Sequence, residues 1–136
     1  MIEYRWQKEF TQEQLQKLFL SVGWYSGNFP EKLQSAFANS SQVICAFDDE
    51  ELAGLVRAQD DGCWQAIIDC VVVNPKYQGQ GIASQLLKLI KEKYKDYLYL
   101  YVIPEEKKNV AFYQKQGFRV MEEGTAMQIA GNWEKE

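Results

Sequence analysis

The 136-residue sequence contains no histidine. That removes imidazole as a general base and removes the commonest zinc ligand. Any proton transfer at a site must then use a carboxylate, a phenol or water. Cysteine is sparse: Cys45, Cys63 and Cys70 form an odd set with no C-x-x-C pair. This excludes a disulfide framework and fits a reducing compartment. No apolar run approaches the roughly 18 residues of a membrane helix, and the opening stretch MIEYRWQKEF is too charged for a secretory signal. Positive charge is in deficit, with 15 Lys and Arg against 19 Asp and Glu. The net charge of −4 argues against general nucleic-acid binding and is compatible with a cationic partner. The expectation is a cytoplasmic protein with no nucleic-acid partner, no membrane partner and no metal.

What is present is an ordinary globular composition, 46% apolar and 25% charged, without linker, repeat or low-complexity tract. One domain over residues 1–136 is expected. Ile2–Trp6 reads as a short strand. Thr11 with Gln14 makes a capping box for a helix whose apolar face is Leu15, Leu18, Phe19 and Val22, ended by Gly23. Pro30 opens a second helix with Leu33, Ala36 and Phe37 on one stripe. Gln42–Phe47, Leu52–Ala58 and Trp64–Val73, separated by acidic turns, read as an antiparallel meander. Ser84–Lys93 is helical, Tyr97–Ile103 strand-like, and Glu105–Gln116 a helix closed by Gly117. Phe118–Met121 and Thr125–Ile129 read as a final strand pair. The fold class is α+β, a mixed, mostly antiparallel sheet flanked by helices.

Between the apolar strand ending at Val73 and the helix beginning near Gly81 lies NPKYQGQGIAS. A helix N-terminus carries unsatisfied N–H donors and a partial positive charge, which suits a phosphate. Gly79, Gly81 and the small Ala83 provide clearance for a bulky anion. The same glycines would also serve a plain chain reversal. A P-loop is excluded, because G-x-x-x-x-G-K-[ST] is absent. The dinucleotide fingerprint lacks its third glycine, and the preceding meander is not a repeated βαβ unit. Glu105, a little over 20 residues beyond Gly81, keeps that reading open.

The chain resembles the GCN5-related N-acetyltransferase (GNAT) superfamily. Gln78-Gly79-Gln80-Gly81-Ile82-Ala83 is similar to that family's R/Q-x-x-G-x-G/A motif, and AFYQKQGF (Ala111–Phe118) to its F-Y-x-x-x-G-F signature. One helix and one strand separate the two, as in the family. The resemblance implies acetyl-CoA as cosubstrate and transfer of its acetyl group directly to a primary amine. It implies a pyrophosphate grip by Gln78, Gly79, Gln80, Gly81, Ile82, Ala83 and Ser84. It implies backbone pairing of the pantetheine arm with Val71, Val72 and Val73, in the manner of an added strand, with an N–H near Val71 for the oxyanion. Where many members carry an Asn seven residues before the signature tyrosine, this chain has Glu106; Asn109 stands four residues before Tyr113 and is the candidate CoA contact instead.

Tyr113 resembles the family's general acid for the departing thiolate, and also fits a packed aromatic on a helix. Asp69 is the candidate base or orienting group. It is a lone carboxylate in AIIDCVVV, where period-2 alternation puts it with Val71 and opposite Cys70. The structural alternative is a strand-edge Asp that caps a bulge or meets a lysine. Trp24, Tyr25 and Phe29 in the loop SVGWYSGNF are candidates for the acceptor pocket, with core packing as the competing role for Trp24. The stretches SVGW and LQSAFANS resemble small members of the family, some of which acetylate arylalkylamines. The acceptor is therefore expected to be a small-molecule amine, an arylalkylamine among the options, or a peptide, and a homodimer is left open. The competing functions are a non-catalytic acyl-CoA-binding or regulatory domain on the same fold and a small dinucleotide-binding protein.

Overall fold

Turn-forming residues between apolar segments fold the centre of the chain into strands that pair in sequence order. The computed structural model describes residues 1–129. Strands β1 (Ile2–Trp6), β2 (Gln42–Asp48), β3 (Glu51–Asp60) and β4 (Gln65–Val73) are successively antiparallel, and β5 (Tyr99–Val102) joins β4 in parallel. Helices α1 (Gln12–Ser21) and α2 (Pro30–Ala38) connect β1 to β2, and α3 (Ile82–Lys93) connects β4 to β5. The expected mixed, mostly antiparallel sheet flanked by helices is the observed architecture. Residues Met1–Val102 form one compact unit; the described residues from Ile103 onward belong to a second, with helix α4 (Val110–Lys115).

In the first unit, alternate side chains of the sheet serve two cores. Val43, Cys45, Phe47, Leu55, Cys70 and Val72 cluster with Leu15, Leu18 and Phe19 of α1 and Phe37 of α2. The interleaved Ile44, Ala46, Val56 and Ile68 are also buried and turn the other way. Helix α3, which packs on β2, β3 and β4, buries Ile82, Leu86, Leu87 and Ile90. Each fully buried aliphatic side chain contributes roughly 1.5–3 kcal/mol relative to exposure. Burial pushes the Cys45 thiol up to about 12, so it packs as an inert apolar group.

The capping box forms as read: the Gln14 N–H donates to Thr11 Oγ1 at 3.0 Å and the Thr11 N–H to Gln14 Oε1 at 2.9 Å. At the other end of α1, Gly23 N–H donates to Leu20 O (3.0 Å) and Trp24 N–H to Phe19 O (3.1 Å). This paired C-terminal motif seats Trp24 edge-on against Phe19, with ring centroids 5.5 Å apart.

Two expectations change in the second unit. The helix of the second motif begins late: Glu106 is extended (φ −134°, ψ 143°), Lys107–Asn109 is one 3-10 turn, and α4 starts only at Val110. The expected final strand pair is not formed. Residues 118–129 carry no ladder, and 119–129 are exposed. Strand propensity is not enough here, because a hairpin without a further strand or helix to bury its apolar face is marginal in water.

One charged cluster ties the first unit together. Glu51, at the start of β3, meets Lys17 of α1 at 2.8 Å and Lys76, just after β4, at 2.7 Å, and accepts from the Tyr77 hydroxyl at 2.6 Å. Lys17 foremost, then Lys76 and Tyr77, hold the Glu51 carboxyl down at about 2. An unfolded glutamate titrates near 4.3. The unfolded chain therefore takes up the proton first as pH falls. The stabilisation is complete above that range and is lost progressively towards pH 2. The stability gap between the wild type and Glu51→Gln, measured by urea denaturation, should accordingly narrow as pH is lowered from about 6 to 2.5. A gap constant over that window would mean that the ionised carboxylate contributes nothing through these partners.

Candidate functional site

The site starts from a strand that loses one neighbour part-way. β5 pairs with β4 only from Gln65 opposite Tyr99 to Ile68 opposite Val102. On its other edge β4 stays paired with β3 as far as Val73, opposite Gly54. From Asp69 to Val73, the β5-side edge carries no ladder among the described residues. Alternate residues there direct N–H and C=O groups towards an open flank.

The parting coincides with an irregularity. Arg57 sits opposite Cys70 and Ala58 opposite Ile68, so Asp69 is the extra residue of a β-bulge. The bulge overturns the alternation expected for Asp69. Its carboxylate pairs with Arg57, whose guanidinium lies over the Phe37 ring of α2 at 5.8 Å and donates to Ser40 Oγ at 2.7 Å. Cys70 packs in the same cluster as Phe37, so Asp69 and Cys70 turn towards the same helix. The sequence reading missed Arg57. Its signal was a lone cation in the apolar strand ELAGLVRAQD, which needs a partner as much as the carboxylate does.

Beyond β4 the chain is held bond by bond. Asn74 N–H continues the ladder to Ala53 O (2.8 Å), and its side-chain oxygen accepts from Lys76 N–H (3.0 Å). Tyr77 N–H closes on Asn74 O (2.8 Å), and the Gln78 side-chain amide donates back to Val73 O (3.1 Å). Tyr77 is buried, with its hydroxyl on Glu51 and on Asp48 (2.8 Å), and those hydrogen bonds to carboxylates, then burial, raise its pKa. Gly79 and Gly81 then take left-handed backbone angles, φ 83° and 79°, and a Cβ on either would meet nothing within 4 Å. Gly81 is the N-cap of α3, with no side chain capping it, and the first helical bond runs from Gln85 N–H to Gly81 O. Ile82, Ala83 and Ser84 form the leading turn, whose N–H groups precede that bond.

In the second unit, Tyr113 is buried and packs edge-on against Phe112 (5.2 Å) and Phe118 (6.0 Å). Phe118 N–H donates to Tyr113 O and Gly117 N–H to Gln114 O, both at 3.0 Å. The sequence F-Y-x-x-x-G-F is thus also a helix stop, the glycine ending α4 and the last aromatic folding back on the tyrosine. Asn109 is the N-cap position of α4 and provides no side-chain cap.

The family model for the acetyltransferase (GNAT) family matches residues 4–118. The chain belongs to the GNAT family. A GNAT-family acetyltransferase of Streptococcus pneumoniae TIGR4 shares 30% identity and a TM-score of 0.82, covering 97% of this chain and 99% of that one. The uncharacterized N-acetyltransferase ycf52 of Pyropia yezoensis is 30% identical over 82% of this chain, and a protein named histone acetyltransferase in Glycine max is 31% identical over 81%. The GNAT chain spans 66% and 52% of the length of those two relatives.

Within the GNAT chain, Asp69, Val71–Val73 and Gln78–Ser84 lie on one continuous strand, turn and helix, whereas Asn109 and Tyr113 belong to the second unit. Of the acceptor-pocket candidates, Trp24 packs on the core through Phe19. Tyr25 and Phe29 are exposed and paired, with ring centroids 5.4 Å apart. No group of three or more His, Cys, Asp or Glu placed to hold a metal is present among the described residues, and none of their helices is long and apolar enough to cross a membrane.

The glycines around this turn should respond differently to a methyl group. Gly81→Ala meets no atom and should lose only the roughly 1–2 kcal/mol of left-handed backbone strain. Gly54→Ala, opposite the end of β4, would set its Cβ 2.8 Å from Val72 O and should destabilise more, which thermal unfolding of the two variants will rank. The reverse order would contradict the described packing.

Proposed function

We propose that this GNAT-family chain transfers the acetyl group of acetyl-CoA directly to a primary amine of a small molecule or peptide. The observation that supports it best is the open β4 flank at Val71–Val73 running without interruption into the left-handed Gly79–Gly81 turn and the uncapped start of α3. Extended amide chains pair with open strand edges, and pyrophosphates with helix N-termini. One strand, turn and helix therefore offers, in order, what the two halves of CoA require. In this reading Gln78 to Ser84 grip the phosphates and Asn109 contributes to the cofactor.

The chemistry divides among few groups. The amine nitrogen attacks the thioester carbon, the C–S bond breaks, the nitrogen loses a proton and the thiolate gains one. Asp69 attracts and orients the amine or takes its proton. Its carboxylate is already engaged by Arg57, which favours the orienting part of that role. Tyr113 gives the proton to sulfur. The exposed Tyr25 and Phe29 contact the acceptor, which makes an amine with an apolar or aromatic body the first class to try. The ion pair between Asp69 and Arg57 also suits a second reading, an acyl-CoA-binding module in which both residues are structural.

Release of CoA thiol from acetyl-CoA with a panel of arylalkylamines, polyamines, aminoglycosides and peptide N-termini separates the two: turnover with any amine supports transfer, and binding without turnover supports the module. For an active enzyme, Tyr113→Phe should lower the single-turnover rate by roughly 10²–10⁴-fold with little change in acetyl-CoA affinity. Full activity in that folded variant would leave water as the donor. Asp69→Asn should slow the reaction most near neutral pH and recover in part at high pH, where more amine is already uncharged. A wild-type pH–rate profile would remove Asp69 from proton handling.

A further inference from the structure

The glycine turn is open above and braced below, and the brace is built from residues that no part of the proposed reaction uses. Glu51 brings a carboxylate from the far side of the β2–β3 hairpin. Its Oε1 accepts from the Tyr77 hydroxyl at 2.6 Å and from Lys76 Nζ at 2.7 Å, and Lys17 Nζ lies 2.8 Å from its Oε2 as an ion pair. Asp48, from the same hairpin, takes the Tyr77 hydroxyl at 2.8 Å. The Tyr77 ring is 6% exposed, and the Lys76 ammonium lies over it at 5.3 Å. Two residues after Tyr77 the backbone turns left-handed at Gly79. The turn is thus pinned at its base by the Asn74–Ala53 bond and just before its crest by a buried phenol locked between carboxylates.

We infer that Glu51 and Tyr77 are positioning residues for the phosphate turn: they fix the angle at which Gly79–Gly81 and the start of α3 meet the ligand, without touching it. The inference rests on the reading that this turn binds the CoA pyrophosphate. A glycine turn with no packing around its crest has many accessible conformations, and each one that must be frozen on binding weakens affinity. A clamp at Tyr77, adjacent to Gln78, removes that freedom beforehand. Two features mark the clamp as aimed at the turn rather than at the core. The single phenol O–H lies between two carboxylate acceptors, on Glu51 and Asp48. And Lys76, the ammonium closest in sequence to the proposed phosphate site, is drawn down onto Glu51.

The test compares CoA with pantetheine, which lacks the pyrophosphate, by calorimetry on variants shown to be folded by circular dichroism. Tyr77→Phe deletes only the hydroxyl and leaves the Lys76–Glu51 pair. Glu51→Gln removes the charge and keeps the shape. Both should weaken CoA binding by roughly tenfold, the size of one charge-assisted hydrogen bond expressed in binding, and leave pantetheine binding within about twofold. Turnover at saturating acetyl-CoA should be retained. Unchanged CoA affinity in both variants would overturn the inference, as would equal weakening of both ligands, which marks a general loss of structure. If the wild type itself binds CoA no more tightly than pantetheine, the phosphate reading fails and the inference falls with it.

Discussion

The N–H and C=O groups on both edges of a buried strand need partners, and among the described residues β4 loses its second strand neighbour at Asp69. Up to Ile68 it is paired with both β3 and β5; from Asp69 to Val73, among the described residues, it is paired with β3 alone. The rest of the candidate site follows from that departure. In the proposed reading, an extended ligand completes the ladder at this flank. The bulge at Asp69 starts where the β5 pairing stops and re-aims the carboxylate. The strand then delivers the chain into the glycine turn, so the open edge and the start of α3 adjoin.

Two ion-pair systems anchored on β3 act differently. The Asp69–Arg57 pair lies within the sheet, on the side that packs against α2. It pairs two opposite charges carried by neighbouring strands. The Glu51 system lies at the hairpin end and reaches α1 and the segment after β4. It joins three stretches distant in sequence, which a local interaction cannot do. The absence of histidine gives both systems added weight, since carboxylates and phenols are the groups left to move or hold protons.

Much of this was legible in the sequence, for reasons that can be named. The capping box at Thr11 and Gln14, the helix stops at Gly23 and Gly117 and the glycine turn all depend on residues within a few positions of each other, and local chemistry decides them. The meander was legible because alternation and acidic turns are also local. The candidate site was read chiefly from two short motifs. Less legible were the places where a distant partner decides. Trp24, read as a loop aromatic with core packing as the alternative, packs on Phe19 because the helix stop carries it there. Asp69 departs from alternation because Arg57, twelve residues earlier, sits opposite the bulge. The stretch 118–129, strand-like in composition, forms no ladder because propensity without a paired neighbour does not make a sheet.

The amino-acid sequence by itself determined the class of fold, the order of elements from β1 to β5, the glycine turn between strand and helix, and the exclusion of histidine and P-loop chemistry. All of these are set by residue type and by spacing along the chain. Only the tertiary structure decided where β4 and β5 separate, that Asp69 is bulged and paired with Arg57, and that Glu51 braces Tyr77 beneath the turn. Each of those depends on register and on charges meeting across many residues of chain. The energy that fixes them appears only once the sheet has formed and the partners have been brought together out of water.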